Sequence, residues 1–362
     1  MLYRTNAALA AAAALSVLVA CQTTNRPASG DSPPVPIPAG AELSTRPSEA
    51  PSWKIPNMPE AAESYYGPDS YHLIAQVRSP LAVKSARGSA GFLTQTFTDD
   101  GKDIVQVNNK GWDACSFFFP DGKRLLWTSV KDNLDMPLGN WSDWRNYPQG
   151  SELYISDRKG GNIVRLTNNK YYEAEITISP DSKWIVFGRM IKGNMDLWLM
   201  KSDGTGEHQL TFTEDDQEGA PYFLPDSETI IFRAWKASEY DQKPTPMTIY
   251  TIKRDGTGLT PRTFTHDMNW APYPTPDGRH FLFVRAETPR NWEVYLGDLE
   301  GSAPRRITFD EGFDGFPAIS PDGRKMVWTT NRGSQGAGFM QGLQLHVMDV
   351  SSLHLGPKKK HS

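Results

Sequence analysis

The chain has 362 residues, a formal net charge of −4 at pH 7 and 22% charged residues. This near-neutral balance argues against a nucleic-acid-binding protein, because such proteins usually carry a basic surface. The basic run Lys358 to Lys360 is short and is expected to be a solvated end of the chain.

The first 20 residues predict an export signal. Arg4 precedes an apolar run from Ala7 to Ala20, which is too short to span a bilayer comfortably and is typical of a signal peptide. The run ends in the letters LVAC, which match the bacterial lipoprotein signal, so Cys21 is expected to be acylated and to become the new N-terminus. The alternative is an ordinary secretory signal followed by a chance cysteine. Gln22 favours an outer-membrane destination over inner-membrane retention.

The stretch 21–58 is rich in Pro, Ser, Ala and Gly, and it predicts a semi-extended tether between the membrane and the folded domain. We assign residues 59–355 to that domain and 356–362 to a basic tail. If Cys21 carries lipid, Cys115 has no disulfide partner, and its place on a predicted inner strand indicates a buried apolar residue rather than a reactive thiol.

A Pro-Asp-(Gly/Ser) phrase followed by a short apolar strand recurs six times along the domain. Its prolines are 52, 60, 45, 51 and 45 residues apart, and only strand signals lie between the copies. This period predicts an all-β fold, a six-bladed β-propeller with one sheet per repeat. The six prolines are Pro68, Pro120, Pro180, Pro225, Pro276 and Pro321.

The third repeat shows the expected anatomy of a blade. Its inner strand, Ala174 to Ser179, leads through the Pro-Asp-Ser turn into Trp184 to Phe187, and a third strand, Asp196 to Met200, follows. Asp203-Gly204 then predicts a hairpin into a fourth strand, His208 to Thr211.

The sixth repeat lacks a clear fourth strand. Its third strand, Leu343 to Met348, is followed by Val350-Ser351-Ser352 in place of a glycine turn. We therefore expect the segment Ser52 to Ser64 to supply the missing strand, which would close the ring and remove an exposed sheet edge.

The phrase ISPDSKWIVFGR, followed by DLWLMKSDGTGEHQLTFT, resembles the propeller repeat of TolB, a component of the Tol-Pal system. The same repeat occurs in propellers of the prolyl oligopeptidase group and in oligogalacturonate lyases. The resemblance covers roughly 65–350. TolB carries a separate N-terminal α/β domain and is soluble in the periplasm, whereas this chain has a tether and a lipidation signal. The segments Gly139 to Trp144 and Tyr171 to Glu175 are similar to phrases of exported TolB-like propeller proteins.

The position seven residues before the repeat proline is polar in five blades. Equivalent positions form a ring in a propeller, so these side chains are expected to face one mouth of the channel. They could tie neighbouring blades together, or they could form a cation site or an acidic collar for a basic partner segment. Which metal, if any, they would hold stays open. The residues are Asp113, Glu173, Glu218, Asn269 and Asp314; the first blade has Ala61 there.

A second candidate site is the insertion Lys131 to Gly150, which lengthens the second blade. Long loops that carry aromatic residues and arginine on a rigid scaffold are common recognition elements. A smaller loop, Ala234 to Pro246, occupies the corresponding place in the fourth blade with Trp235, Tyr240 and Lys243. The aromatics could instead fold back over the channel. The candidate residues of the insertion are Trp141, Trp144, Arg145 and Tyr147.

The sequence contains no H-E-x-x-H, C-x-x-C or G-x-S-x-G motif and no glycine-rich phosphate-binding loop. No cofactor is therefore expected. The lyases that share the repeat hold a metal with histidines at the channel, whereas here only His266 precedes an inner strand.

The leading prediction is a non-enzymatic, lipid-anchored binding protein of the cell envelope, at the outer membrane and facing the periplasm. The resemblance to TolB implies a protein partner and a Tol-Pal-like or envelope-assembly role. The alternative is polysaccharide capture or lyase-type cleavage, although an acidic ring would repel polyuronates. A purely structural scaffold is the third possibility.

Overall fold

The computed structural model describes residues 34–44, 46–84, 91–334 and 338–358. The predicted signal peptide, Cys21 and Lys359 to Lys360 lie outside this range, so the lipidation site stays a prediction. No helix within the described residues is long and apolar enough to cross a membrane.

Six antiparallel sheets follow one another along the chain, which confirms the predicted six-bladed β-propeller. In the first five blades, four consecutive strands run from the inside of the ring to its outside. Two strands precede the first blade: β1 (Leu43–Ser44) and β2 (Ser52–Lys54). The first three blades consist of β3 (Ala61–Tyr66), β4 (His72–Arg78), β5 (Phe92–Thr98) and β6 (Val105–Gln106); β7 (Asp113–Phe118), β8 (Arg124–Ser129), β9 (Glu152–Asp157) and β10 (Val164–Arg165); β11 (Tyr172–Ile178), β12 (Trp184–Ile191), β13 (Asn194–Lys201) and β14 (His208–Gln209).

The remaining three blades repeat this order. Short 3-10 turns lie at Trp144–Asn146, Ala237–Glu239 and Ser351–Leu353. The strands are β15 (Asp216–Phe223), β16 (Thr229–Lys236), β17 (Thr248–Lys253) and β18 (Thr260–Pro261); β19 (Asn269–Pro274), β20 (His280–Thr288), β21 (Asn291–Asp298) and β22 (Arg305–Arg306); β23 (Asp314–Ile319), β24 (Lys325–Thr330) and β25 (Gln344–Asp349).

The Pro-Asp-(Gly/Ser) phrase forms the turn between the inner strand and the second strand of each blade. In the first blade, the carboxylate of Asp69 accepts hydrogen bonds from the backbone N–H groups of Tyr71 and His72 at 3.0 and 2.8 Å. The third residue of the phrase is left-handed, as at Ser70 (φ 58°) and Gly122 (φ 66°). Glycine and small polar residues tolerate this conformation, which explains the residue choice.

The sixth blade is closed by the N-terminal segment, as the sequence predicts. Strand β2 pairs with β25 in antiparallel register, with Trp53 opposite Val347. Strand β1 adds a fifth strand outside β2. Of the predicted donor segment, only Ser52–Lys54 fulfils this role, because Ala61–Tyr66 is the inner strand of the first blade.

The described part of the predicted tether, from residue 34 onward, packs on the propeller, so the tether prediction is wrong for that part. Trp53 and Ile55 are fully buried in the core. Glu49 forms a two-pronged ion pair with Arg332 at 2.7 Å, and the carboxylate of Asp349 accepts a hydrogen bond from the backbone N–H of Val35. The prediction from the Pro- and Ser-rich composition did not take these few anchoring residues into account.

Candidate functional site

Every inner strand contains a β-bulge at the same repeat position, five residues before the turn proline. There the register shifts, and the residue adopts a left-handed conformation with φ between 38° and 54°. A bulge bends its strand and redirects the side chains beside it. The six bulge residues are Glu63, Cys115, Glu175, Ala220, Ala271 and Phe316.

A layer of aromatic rings fills the waist of the channel, three residues before the turn proline. Tyr65 lies 4.2 Å from Phe117 and 5.9 Å from Tyr273, measured between ring centroids. The hydroxyl of Tyr222 donates to that of Tyr65 at 2.9 Å. Thr177 and Tyr222 line a cavity on each side of this layer.

The larger cavity, which we call the loop-side cavity, has a volume of about 370 Å³. All six bulge residues line it. Besides the six inner strands, its walls come from the insertion 131–150, from the loop after β16 and from the hairpin of β20 and β21. It is therefore the place where the two predicted recognition loops and the channel meet.

The two predicted loops contact each other over this cavity. Trp144 packs at 5.2 Å against Trp235 and at 5.5 Å against Tyr240, measured between ring centroids. Arg145 forms an exposed ion pair with Asp241 at 3.0 Å and lies over the Tyr240 ring. Trp144 is a wall residue, whereas Arg145 is a bridge between the loops rather than a lining residue.

Trp141 and Tyr147 form the neighbouring part of the wall. Tyr147 stacks on Tyr172 of the third blade at 4.1 Å, and Trp141 packs against Tyr172 at 5.9 Å and Trp112 at 6.5 Å. These rings fold over the channel, as one of the two sequence alternatives required, and they also line the cavity. The opposite wall contains Trp270, which lies 5.5 Å from Trp292.

The cavity floor carries two carboxylates, a thiol and a guanidinium. The backbone N–H of Cys115 donates to Glu63 Oε2 at 3.1 Å, and that of Ala220 donates to Glu175. Arg233 Nη2 contacts both oxygens of Glu175 at 3.0 and 3.2 Å. The floor therefore links the bulges of adjacent blades through side-chain carboxylates.

Burial governs the protonation of these groups. Withdrawal from water raises the pKa of Glu63 to about 7, against the opposing effect of the Cys115 N–H. Burial, reinforced by the charges of Glu63 and Glu175, also raises the pKa of the Cys115 thiol. Cys115 is consequently held as a neutral thiol at physiological pH, in line with its expected inert role.

The five residues predicted to ring a channel mouth do not line the cavity; their side chains are buried and pair with residues of their own blade, of the preceding blade or of the segment between the two. Asp113 accepts hydrogen bonds from the backbone N–H of Thr94 in the preceding blade and from Asn108 at 2.8 and 2.7 Å. Asp314 pairs with Arg332 at 2.5 Å and accepts a hydrogen bond from the Trp328 indole. Burial raises the pKa of Asp113 to about 6.

The side chains at the other three predicted positions also hold the blades and their connecting segments together. Glu173 pairs with Arg189 and accepts from Asn169. Glu218 accepts from Thr213 at 2.8 Å, and Asn269 donates to the carbonyl of Met247 in the preceding blade at 3.0 Å. The bulge residues two positions further along each inner strand, such as Glu63 and Glu175, line the cavity instead.

A second cavity of about 360 Å³ lies at the other mouth, and all six turn prolines line it. Its wall also contains Phe118 and Phe119. Within the described residues, no group of three or more His, Cys, Asp or Glu side chains is arranged to hold a metal ion. His266 is exposed and lies 3.4 Å from Glu239.

No protein-family model matches the chain. An uncharacterised protein of Agrobacterium fabrum is 24% identical over 289 residues, which cover 76% of this chain and 86% of that relative. Among solved structures, a TolB-type protein from Agrobacterium tumefaciens has a TM-score of 0.56 at 19% identity, covering 80% of this chain and 90% of the other. TolB from Acinetobacter baumannii has a TM-score of 0.58 at 19% identity, covering 78% and 65%.

An oligogalacturonate lyase in complex with manganese is similar at a TM-score of 0.52 and 14% identity, covering 86% of this chain and 96% of the other. All these likenesses to solved structures are below 25% identity, so they concern the fold. They confirm that the chain has the β-propeller fold of the two TolB structures.

Proposed function

We propose that this protein is a non-enzymatic binding protein of the bacterial cell envelope, anchored through a lipid on Cys21, that recognises an extended segment of a protein partner in the loop-side cavity. The observation that carries the proposal is the aromatic wall that Trp141, Trp144 and Tyr147 build over the channel together with the fourth-blade loop. The TolB-like fold and the LVAC signal support the envelope setting.

The chemistry of the walls suits a peptide. Aromatic side chains provide large, rigid contact area and are enriched where proteins bind one another. The indole N–H groups of Trp141, Trp144 and Trp292 have no acceptor among the described residues. These N–H groups are closed off from the cavity, so the three residues would contact a bound peptide through their rings, which line it.

A polysaccharide is the second candidate ligand, because aromatic rings also stack on sugars and because a lyase shares the fold. The floor favours the peptide over an acidic sugar. Glu63 and Glu175 face the cavity beside Arg233, so the three groups sum to a negative charge when all are ionised. Lys243 on the rim offsets this charge for the cavity as a whole, so a polyuronate would be repelled where its carboxylates approach Glu63 on the floor.

Affinity capture from crosslinked envelopes tests the proposal. The wild-type protein, a Trp141→Ala/Trp144→Ala double variant and a Trp184→Ala control would be compared. Trp184 is half-buried between the third and fourth blades, where it packs against Arg254, and it does not line the cavity, so the control removes an indole without touching the cavity.

We expect one envelope protein to be enriched by the wild type and the control and lost from the double variant, which still melts cooperatively. Enrichment of glycan without protein would contradict the proposal and favour the polysaccharide. Equal capture by all three proteins would place the binding surface elsewhere.

A further inference from the structure

We propose that the floor of the loop-side cavity binds a primary ammonium group of the partner, either a lysine side chain or a free N-terminus, at the carboxylate of Glu63. The inference rests on the proposed function, since it names the chemical group by which the partner segment would be recognised. It depends on three features of the cavity: its charge, its aromatic walls and the geometry of the Glu63 carboxylate.

Glu63 is the carboxylate of the floor without a cationic partner. Glu175 is neutralised by Arg233, whose Nη2 lies 3.0 and 3.2 Å from its two oxygens. Among the described residues, no Lys, Arg or His forms an ion pair with Glu63; its hydrogen bonds come from the backbone N–H and the thiol of Cys115. A buried carboxylate without a counter-ion is costly, so a ligand cation would be stabilised there.

The other titratable groups around Glu63 do not supply this charge. Tyr65, Cys115 and Tyr222 are all buried at the floor, and burial raises the pKa of each of them, so they stay neutral. The remaining neighbour, Glu175, has its negative charge offset by Arg233, so the attraction for a cation comes from the carboxylate of Glu63. An incoming cation therefore meets a floor that attracts it.

The aromatic walls favour a cation as well, because the faces of aromatic rings attract positive charge. The rim of the cavity already shows this contact. Lys243 Nζ lies 3.8 Å from the centroid of the Tyr240 ring, and Arg145 lies over the same ring at 4.6 Å. A cation that enters would pass from these rings to Trp141 and Tyr147 on its way to the floor.

The carboxylate geometry favours an ammonium over a guanidinium. Glu63 Oε2 is engaged by the Cys115 N–H, and the Cys115 thiol also hydrogen-bonds the carboxylate, so the carboxylate is already partly occupied. A guanidinium binds best through two parallel hydrogen bonds to both oxygens, whereas an ammonium is a compact charge that one oxygen can accept.

Binding of small probes tests the inference. The affinity of n-butylammonium would be compared with that of 1-butanol, its neutral counterpart, by calorimetry or ligand-observed NMR. The variants are Glu63→Gln, which keeps the side-chain length and an acceptor for the Cys115 N–H, and Glu228→Gln, an exposed control at the other end of the fourth blade. Thermal melts verify that both variants fold.

We expect the wild type and the Glu228→Gln variant to prefer the ammonium, and the Glu63→Gln variant to bind it about tenfold or more weakly. Equal affinity for butylammonium and butanol, no binding of either, or no loss in Glu63→Gln would overturn the inference. N-acetyl-lysine N-methylamide and alanyl-alanine amide then distinguish a side-chain ammonium from a terminal one.

The two proposals fail separately. If envelope capture depends on Trp141 and Trp144 but the ammonium preference is absent, the function stands and the inference about Glu63 is wrong. If the ammonium preference is present but no envelope protein is captured, the site recognises a cationic ligand that is not the proposed protein partner.

Discussion

The substitution Glu63→Gln should make the protein less sensitive to alkaline pH. Burial raises the pKa of Glu63 from its usual 4.5 to about 7. Between these two values the folded protein holds a proton that the unfolded chain releases, so the contribution of Glu63 to stability is fully present below pH 4.5 and is lost as the pH rises through 7.

The expected size follows from the shift. At 1.36 kcal/mol per pKa unit, about 2.5 units correspond to about 3 kcal/mol, which the wild type loses by about pH 8.5. Glutamine has no charge to bury. The free energy of unfolding of the variant, relative to that of the wild type, should therefore rise by about 2 to 3 kcal/mol between pH 5 and pH 8.5.

Urea unfolding of both proteins at a series of pH values measures this difference. Burial also raises the pKa of Asp113, Glu218 and Glu293, but these groups are shared by both proteins and cancel in the comparison. Glu228→Gln, at an exposed position, should follow the wild type throughout. If the free energies of unfolding of the wild type and of Glu63→Gln change with pH in parallel, then Glu63 is not a buried carboxylate without a cationic partner.

Three further predictions concern the closing strand of the ring, a buried ion pair of the sixth blade and the lipid anchor. Trp53→Ala removes a fully buried indole from the closing strand and should lower the free energy of unfolding by about 3 to 5 kcal/mol in a urea titration; a loss below 1 kcal/mol would mean that the strand does not close the ring. Asp314→Ala removes one of the two carboxylates that pair with the buried Arg332, as well as the acceptor of the Trp328 indole; because Glu49 still pairs with Arg332, the loss should be about 1 to 3 kcal/mol, while partner capture by the folded fraction is unchanged. Cys21→Ser should abolish incorporation of radiolabelled palmitate in cells, and labelling of the variant would place the acyl chain on another residue.

The blade architecture could be predicted from sequence because it depends on local turn chemistry. Pro-Asp-(Gly/Ser) specifies a turn with a left-handed third residue, and six copies at a regular period define six sheets. The closing strand could be predicted as well, because the sixth repeat visibly lacks its last strand. Strand Ser52–Lys54 occupies that place.

The site could be predicted only in part. The longer spacing of the second repeat reveals an insertion, and its residues Trp141, Trp144 and Tyr147 line the cavity. The bulge could not be read from the sequence, because its left-handed residues are Glu, Cys, Ala and Phe rather than glycine. Counting along an ideal strand therefore pointed to Asp113 and its equivalents instead of Glu63 and its equivalents.

The folded part of the N-terminal segment was missed for a different reason. Composition predicts that a Pro- and Ser-rich stretch stays extended, but a few anchors suffice to fix it when a sheet edge is available. Trp53 and Ile55 bury apolar surface, and Glu49 compensates the charge of Arg332. Such tertiary partners lie about 280 residues away in sequence and leave no local signal.

Site-specific photo-crosslinking in cells tests the central claim most directly. A benzophenone amino acid would be placed at Ser142, on the rim of the loop-side cavity, or at Tyr71, an exposed residue beside a turn proline at the other mouth. The account predicts a discrete adduct with one envelope protein from Ser142 and none from Tyr71. An adduct that forms from Tyr71 and not from Ser142 would contradict binding through the loop-side cavity.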